Sequence, residues 1–425
     1  MRSPSSIDCA PTVWRPVNEA LVFGLLFSAI ACGWFLGRRA RREPAEGVIA
    51  LPSQYYRGLN YLLDGRPDGA VDHFISALEV NSETLETHIA LGNVLRRRGE
   101  VERAIRIHEN LLARPDLPTA QMHIAHLELA RDYISAGLLD RAEQLLLDLV
   151  KESPQQRDVS KQHLIDLYRS ESEWTRAIAM AKTLLPRRSL LGKSAEAPQQ
   201  PRQPVPLQLA HFYCELALEQ KSDGQHQEAK RSLNEALKSD PGCVRASLEL
   251  GKLEAARGNH REAIQALERV VDQDARFLAE AIPALRESHA ALGEASALSE
   301  FLRAKLETHP STPLTIAVAE DVLRDDGVEA AREFLASRLA DTPSLRGLRR
   351  WIRLREEESG DDGRQLSSET EATYSVLNVL LDRLIEERAS YCCSHCGFTA
   401  KHLLWFCPGC TYWGTFDAIN RSESP

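Results

Sequence analysis

The chain has 425 residues, which exceeds the usual size of one domain and predicts two or more modules. Its 43% hydrophobic and 27% charged residues are typical of a folded protein and exclude a disordered one. The net charge of −9 argues against a dedicated nucleic-acid-binding protein, so no nucleic-acid partner is expected.

An apolar segment near the N-terminus predicts a transmembrane helix. Residues 20–37 read ALVFGLLFSAIACGWFLG, without a charged side chain, and this length just suffices to span a bilayer. Four arginines follow between residues 38 and 42, whereas a cleaved signal peptide has its basic residues before the apolar run. Because flanking basic residues stay in the cytoplasm, we expect residues 1–19 to form a short outward-facing tail and residues 38–51 a basic linker to a cytoplasmic body.

Three small residues recur at every fourth position of this segment. They are Ala29, Gly33 and Gly37. Small residues at this spacing let a second transmembrane helix approach closely, so we interpret them as a candidate helix-packing face. The alternative is that small residues are simply common in membrane helices.

A glycine and alanine pattern repeats through the middle of the chain. Glycine stands five residues before alanine at Gly65/Ala70, Gly99/Ala104, Gly137/Ala142, Gly224/Ala229 and Gly258/Ala263. Another small residue stands twelve positions before each of these alanines, and neighbouring units within a block are 34 to 38 residues apart. The glycine can adopt the left-handed backbone that ends a helix. The small residue and the alanine twelve positions after it predict the point where two helices cross. The period resembles the tetratricopeptide repeat.

The predicted fold is therefore mostly α-helical, with a tetratricopeptide-repeat α-solenoid over residues 52–358, of which residues 52–345 contain about eight units. A proline-rich link at 186–206 divides this array into two blocks, and a loop and connecting helix follow at 359–390. Stacked helix pairs offer a long concave surface for protein partners. The histidines are scattered along the array without a nucleophile and an orienting acid beside them, so we expect no enzymatic activity.

Two C-x-x-C pairs near the C-terminus predict a metal site. Cys393, Cys396, Cys407 and Cys410 lie in YCCSHCGFTAKHLLWFCPGC, and paired thiols at this spacing suit tetrahedral zinc. The motifs C-x-x-C-G and C-P-x-C resemble the two knuckles of a rubredoxin-like zinc ribbon, which we place at residues 391–420. Two or three short strands are expected to carry Phe398, Leu404, Trp405, Trp413 and Phe416 around the metal.

Other ligands and other chemistry at this cluster stay open. Cys392 is interpreted as a non-ligand, and His395 or His402 would replace a cysteine only if a position were vacant. Zinc is the expected metal, although iron in the same cage and electron transfer by it are possible from the ligands alone. Thiol–disulfide catalysis would need one reactive pair rather than two that converge.

The order of anchor, repeats and terminal ribbon resembles the lipopolysaccharide assembly protein B (LapB) family of Gram-negative bacteria. The motifs that carry the resemblance are GWFLGRR at 33–39, LGNVLRRRGEVERAIRIHENLL at 91–112, RDYISAGLLDRAE at 131–143, SEWTRAI at 172–178 and CGFTAKHLLWFCPGC at 396–410. This sequence departs from the family pattern in the tail before residue 19, the proline-rich link and Cys392.

The resemblance implies a single-pass inner-membrane protein with a periplasmic N-terminus that acts as an adaptor without catalysis. It implies contacts with the membrane protease FtsH, with the lipid A deacetylase LpxC, whose degradation it would promote, and with other lipopolysaccharide assembly proteins. Two alternatives remain at this point: a membrane-tethered, rubredoxin-like electron carrier and a generic tetratricopeptide scaffold with no link to proteolysis.

Overall fold

The computed structural model describes residues 24, 27–35, 57–58, 60–61, 85–115, 117–185, 203–361 and 368–419. The chain divides into two compact units, Met1–Thr84 and Leu85–Pro425. The expected tail at 1–19, the linker at 38–51, the repeat pair Gly65/Ala70 and most of the link at 186–206 lie outside the described residues. Residues 362–367 of the expected loop and connecting helix (359–390) lie outside them as well. In the first unit residues 27–35 are helical. Among the described residues no helix is both long and apolar enough to cross a membrane.

The second unit is built from consecutive α-helices joined by short turns. They are α1 (Leu85–Arg97), α2 (Val101–Leu112), α3 (Thr119–Ser135), α4 (Leu139–Glu152), α5 (Arg157–Ser170), α6 (Trp174–Lys182), α7 (Val205–Ser222), α8 (His226–Ser239), α9 (Val244–Ala256), α10 (His260–Asp274), α11 (Leu278–Leu292), α12 (Ala295–Thr308), α13 (Thr312–Asp326), α14 (Val328–Asp341), α15 (Leu345–Asp361) and α16 (Ser368–Glu387). A short 3₁₀ turn, Ala275–Phe277, joins α10 to α11. We call these helices together the array.

The helices pack as successive pairs. Each helix contacts the next one along the chain, and α7, α9, α11, α13 and α15 also contact one another in sequence. The first helices of these neighbouring pairs therefore form one layer, as expected for stacked helical repeats. This confirms the mostly helical solenoid that the repeat period predicted.

The turn glycines adopt the predicted left-handed backbone. Their φ angles run from +71° to +88° at Gly99, Gly137, Gly224, Gly258, Gly293 and Gly327. A residue with a Cβ is strained at such angles, which explains why glycine recurs at this position.

The small residues inside the helices allow close packing between the two members of a pair. A Cβ added at Gly92 would come within 2.5 Å of the His108 ring, and one added at Gly251 within 2.4 Å of Leu267 Cγ. The side chain that covers each glycine therefore lies sixteen residues later in the second helix. The alanines of the repeat, such as Ala104 and Ala263, are fully buried.

The C-terminal residues form a small antiparallel sheet, which we call the ribbon (residues 391–418). Its strands are β1 (Tyr391–Cys393), β2 (Thr399–Ala400) and β3 (Phe416–Ala418), in the order β2-β1-β3. Tyr391 pairs with Ala400 on one side and with Ala418 on the other. The connection between β2 and β3 contains the second C-x-x-C pair and an isolated bridge between Phe406 and Trp413.

Candidate metal centre and its contact with the array

The structure brings together the thiols of Cys393, Cys396, Cys407 and Cys410. All four sulfur atoms lie within 4.8 Å of one another. Two sulfur pairs, Cys393 with Cys410 and Cys396 with Cys407, are 3.7 and 3.6 Å apart. A regular tetrahedron with zinc–sulfur bonds of about 2.3 Å has sulfur–sulfur edges of about 3.8 Å. The cluster therefore fits a tetrahedral metal ion, consistent with zinc.

Each C-x-x-C pair forms a tight turn that closes on its first cysteine. The Gly397 amide donates to the Cys393 carbonyl at 2.9 Å, and the Thr411 amide donates to the Cys407 carbonyl at 2.8 Å. Gly397 and Thr411 take the same left-handed position after the two pairs, with φ of 76° and 61°. This position suits glycine and strains a β-branched threonine, so the second turn holds a conformation that its sequence does not favour.

Two thiols of the cluster, Cys393 and Cys410, differ in how readily they ionise. Burial opposes ionisation of Cys393, but hydrogen bonds from the Thr415 hydroxyl and from the amides of Cys396 and His395 outweigh it and lower its pKa to about 6. Burial and the neighbouring thiols raise the pKa of Cys410 to about 12. The Cys393 thiolate therefore forms easily and the Cys410 thiolate does not, and several negative sulfurs at this separation would repel one another. A bound divalent cation would offset that repulsion.

The remaining candidate ligands lie outside the cluster. Cys392 sits between Tyr391 and Cys393 on β1, and successive residues of a strand point to opposite faces. The ring of His395 packs on Tyr412, with centroids 4.1 Å apart. His402 lies at the junction with the array. Within the residues that the structure describes, the cysteines of the two C-x-x-C pairs are the group that can hold a metal ion.

Trp413 anchors the ribbon in the array. Its side chain is 4% exposed and belongs to the hydrophobic core of the array. Its indole stacks on His211 at 5.0 Å and meets the edge of Phe212 at 6.0 Å, both on α7. The Gln203 side chain binds the Trp413 backbone twice, accepting from its amide at 2.8 Å and donating to its carbonyl at 2.9 Å. These contacts hold the ribbon against the first turns of α7.

His211 is neutral in this setting. Burial and the guanidinium of Arg245 lower the pKa of His211 to about 3. The uncharged imidazole can stack on Trp413 without bringing an unpaired charge into the core. The backbone at Gly414 also lies against this ring, since a Cβ added there would come within 3.2 Å of His211 Nε2.

A second aromatic contact and several polar contacts extend the junction. Trp405 stacks on Phe277 at 5.4 Å, and the Arg169 guanidinium lies 4.5 Å from the centre of the Phe406 ring. Further polar pairs join Arg276 to Asp417 at 2.7 Å and Tyr391 to Glu280 at 2.6 Å. Arg346 donates at 2.6 Å to the hydroxyl of Ser390, the residue directly before the ribbon. The ribbon is therefore fixed to α5, α7, α11 and α15 and packs as part of the second unit.

This arrangement corrects one expectation from the sequence. Phe416 lies beside the cysteines with Leu404, as expected, but Trp405 and Trp413 pack on the array instead of surrounding the metal. Phe398 remains 42% exposed. The expected set of residues was wrong for the two tryptophans, because a ribbon of this size has no interior large enough for them.

The candidate helix-packing residues near the N-terminus are only partly described. Ala29 and Gly33 are helical and exposed, and a Cβ added at Gly33 would meet no atom within 4 Å. Gly37 lies outside the described residues. A packing role for the three therefore stays a prediction.

The fold and the site define a tetratricopeptide-repeat protein with a C-terminal four-cysteine ribbon. Models of the tetratricopeptide repeat match residues 87–119 and 214–276, and a model of the rubredoxin metal binding domain matches residues 391–418. The chain is 33% identical to lipopolysaccharide assembly protein B of Escherichia coli K12 over 94% of its own length and 98% of that protein. It is 31% identical to the Haemophilus influenzae protein of the same name, over 95% and 99% of the two chains. The chain belongs to the lipopolysaccharide assembly protein B family.

Solved structures with similar helical repeats are more distant. A tetratricopeptide repeat protein from Parabacteroides merdae aligns with 64% of this chain and 99% of its own, at 15% identity and a TM-score of 0.31. A MamA structure aligns with 44% of this chain at 20% identity and a TM-score of 0.28.

Proposed function

We propose that this protein is a non-enzymatic, inner-membrane adaptor in lipopolysaccharide biosynthesis that promotes FtsH-dependent proteolysis of the deacetylase LpxC. The observation that carries the link to lipopolysaccharide is the similarity to lipopolysaccharide assembly protein B over nearly the whole of both chains. The protease and the deacetylase enter as the partners that the family resemblance implies. Contacts with other lipopolysaccharide assembly proteins are part of the same proposal.

In this proposal the N-terminal segment places the adaptor beside its protease. Residues 20–37 would cross the inner membrane, with the N-terminus in the periplasm and the array in the cytoplasm, because four arginines follow the apolar run. Ala29, Gly33 and Gly37 would pack against a transmembrane helix of a partner. Replacing residues 20–37 by an unrelated spanning helix should then slow LpxC degradation while leaving the protein in the membrane. Unchanged degradation would show that the segment is only a tether.

The array and the ribbon would together form the surface that holds partner proteins. The buried Trp413 and the paired hydrogen bonds from Gln203 fix the ribbon on the array, so partners would meet one continuous surface. We assign the four cysteines, Cys393, Cys396, Cys407 and Cys410, as the ligands of a structural zinc ion. In this role the metal holds the ribbon in shape and takes no part in a reaction, since all four positions are filled by thiolates.

The first experiment follows LpxC in the protein's own cells. The protein is depleted, translation is blocked, and the LpxC level is measured by immunoblot over time. The adaptor proposal expects LpxC to become long-lived and to regain its normal lifetime when the wild-type gene is restored. Complementation by Cys407→Ser should fail and complementation by Cys392→Ser should succeed, because only the first removes a thiol from the cluster.

The two alternatives give different outcomes. An unchanged LpxC lifetime after depletion would leave a scaffold unconnected to proteolysis. A red protein that contains iron and undergoes reversible one-electron reduction would favour the electron carrier. A colourless protein with one zinc per chain is the result that the adaptor proposal expects.

A further inference from the structure

A cavity lies where the ribbon meets the array. Its volume is about 360 Å³, and both modules line it. The array supplies Lys252 of α9 and Arg346 of α15, and the ribbon supplies Lys401 and His402 from the connection after β2. The cavity therefore exists in this form only while the ribbon is docked.

The charged groups around the cavity are mainly cationic. Lys252, Arg346 and Lys401 face one lining acid, Glu280, which already accepts a hydrogen bond of 2.6 Å from the Tyr391 hydroxyl. Lys252 donates to Glu249 at 3.1 Å. Within the described parts of the chain, Lys401 and His402 form no ion pair. This positive site stands out in a protein whose net charge is −9.

The cavity also has an apolar side. Leu248, which is 1% exposed, lines it together with Leu403 and the half-buried Trp405. Trp405 is held in place by its stacking on Phe277 at 5.4 Å. A ligand that fits this lining carries negative groups next to an apolar group. Acidic residues alternating with leucine in a peptide have this chemistry.

We propose that this cavity is a docking site for an acidic segment of a partner protein. Carboxylates of the segment bind Lys401, Arg346 and Lys252, and a neighbouring apolar side chain packs against Leu403 and Trp405. Because both modules contribute cations, the site links partner binding to the docking of the ribbon. The proposed docking site does not require that the bound partner be degraded. A failure of this site and a failure of the role in proteolysis can therefore be told apart.

Fluorescence anisotropy on the purified full-length protein in detergent tests this site. The probe is a fluorescein-labelled peptide of the sequence SELDEL, and the variant is Lys401→Glu, which reverses one lining charge. We expect saturable binding that weakens with added salt and becomes at least tenfold weaker in the variant. The control is Lys151→Glu, which makes the same change on an exposed part of α4 and should leave binding unaltered.

A second variant and a second probe keep the test decisive. Lys252→Glu changes the array side of the cavity and should also weaken binding, and the zinc content of both variants shows whether the ribbon is still folded. Absence of saturable binding, or equal affinities for Lys401→Glu and the wild type, would overturn the proposal. It would be overturned as well if phosphatidylglycerol vesicles bind through Lys401 while the peptide does not, because the site would then serve an anionic lipid surface.

Discussion

Replacing Trp413 by alanine tests how the ribbon is held on the array. The side chain is 4% exposed, and a tryptophan buries about 150–250 Å². At about 25 cal/mol per Å² this corresponds to roughly 4–6 kcal/mol, and measured tryptophan-to-alanine changes in cores cost about 3–5 kcal/mol. The two hydrogen bonds from Gln203 reach the backbone and survive the change. We therefore expect the docked state to lose about 3–5 kcal/mol.

Hydrogen–deuterium exchange followed by mass spectrometry measures this loss directly. Every 1.4 kcal/mol is a factor of ten in an equilibrium constant, so amides at the start of α7 and in the ribbon should exchange roughly two to four orders of magnitude faster in Trp413→Ala. Trp413→Phe retains a ring against His211 and should change exchange far less. The zinc content should remain at one ion per chain, since Trp413 is not a ligand.

Wild-type exchange rates of Trp413→Ala in both segments would contradict a docked state held by the buried indole. That result would mean that the polar contacts at Asp417, Tyr391 and Ser390 hold the ribbon without the buried indole. Loss of zinc together with fast exchange would instead show that docking and metal binding are one event.

Three further changes give outcomes that the structure predicts. Gly92→Ala places a methyl group within 2.5 Å of the His108 ring and should lower stability by about 1–3 kcal/mol in urea titrations. Cys407→Ser should abolish zinc binding and unfold the ribbon, whereas Cys392→Ser should retain one zinc per chain by elemental analysis. The pKa of His211 is lowered from 6.5 to about 3 in the folded protein. Between these pH values the unfolded chain therefore binds one more proton than the folded chain does. The contribution of His211 to stability is complete above pH 6.5 and falls by up to about 1.4 kcal/mol per pH unit as the pH drops towards 3, a dependence that His211→Gln should remove.

Each of these expectations has a contrary result. Wild-type stability of Gly92→Ala would mean that the His108 ring moves aside without loss. Zinc retained by Cys407→Ser, or lost from Cys392→Ser, would overturn the choice of the four thiols. Parallel pH profiles for His211→Gln and the wild type would show that this histidine is accessible to protons in the folded protein.

The helical array could be predicted because its signals are local and repeated. Gly99 and Gly258 each end a helix five residues before a buried alanine, and the left-handed backbone of a helix-ending turn explains both glycines. The run from Leu377 to Ile385 likewise predicts the helix that the structure shows as α16. The spacing of the cysteines predicts the cluster for the same reason, since each knuckle closes within five residues.

The junction between ribbon and array could not be predicted in this way. Trp413 binds Gln203, which lies 210 residues earlier at the end of the proline-rich link. His211 appears in the sequence as one scattered histidine among many, and no residue near it in the sequence indicates that its ring stacks on a tryptophan. Contacts of this kind leave no periodic signal, so an aromatic residue in a short ribbon is naturally interpreted as part of the ribbon's own core.

The most direct test of the adaptor proposal is degradation of purified LpxC by purified FtsH in the same lipid vesicles, with and without this protein. The proposal predicts that the full-length protein accelerates loss of LpxC in the presence of ATP, and that Trp413→Ala, with its zinc retained, accelerates it less. An equal rate of LpxC loss with and without the protein would contradict the proposed role.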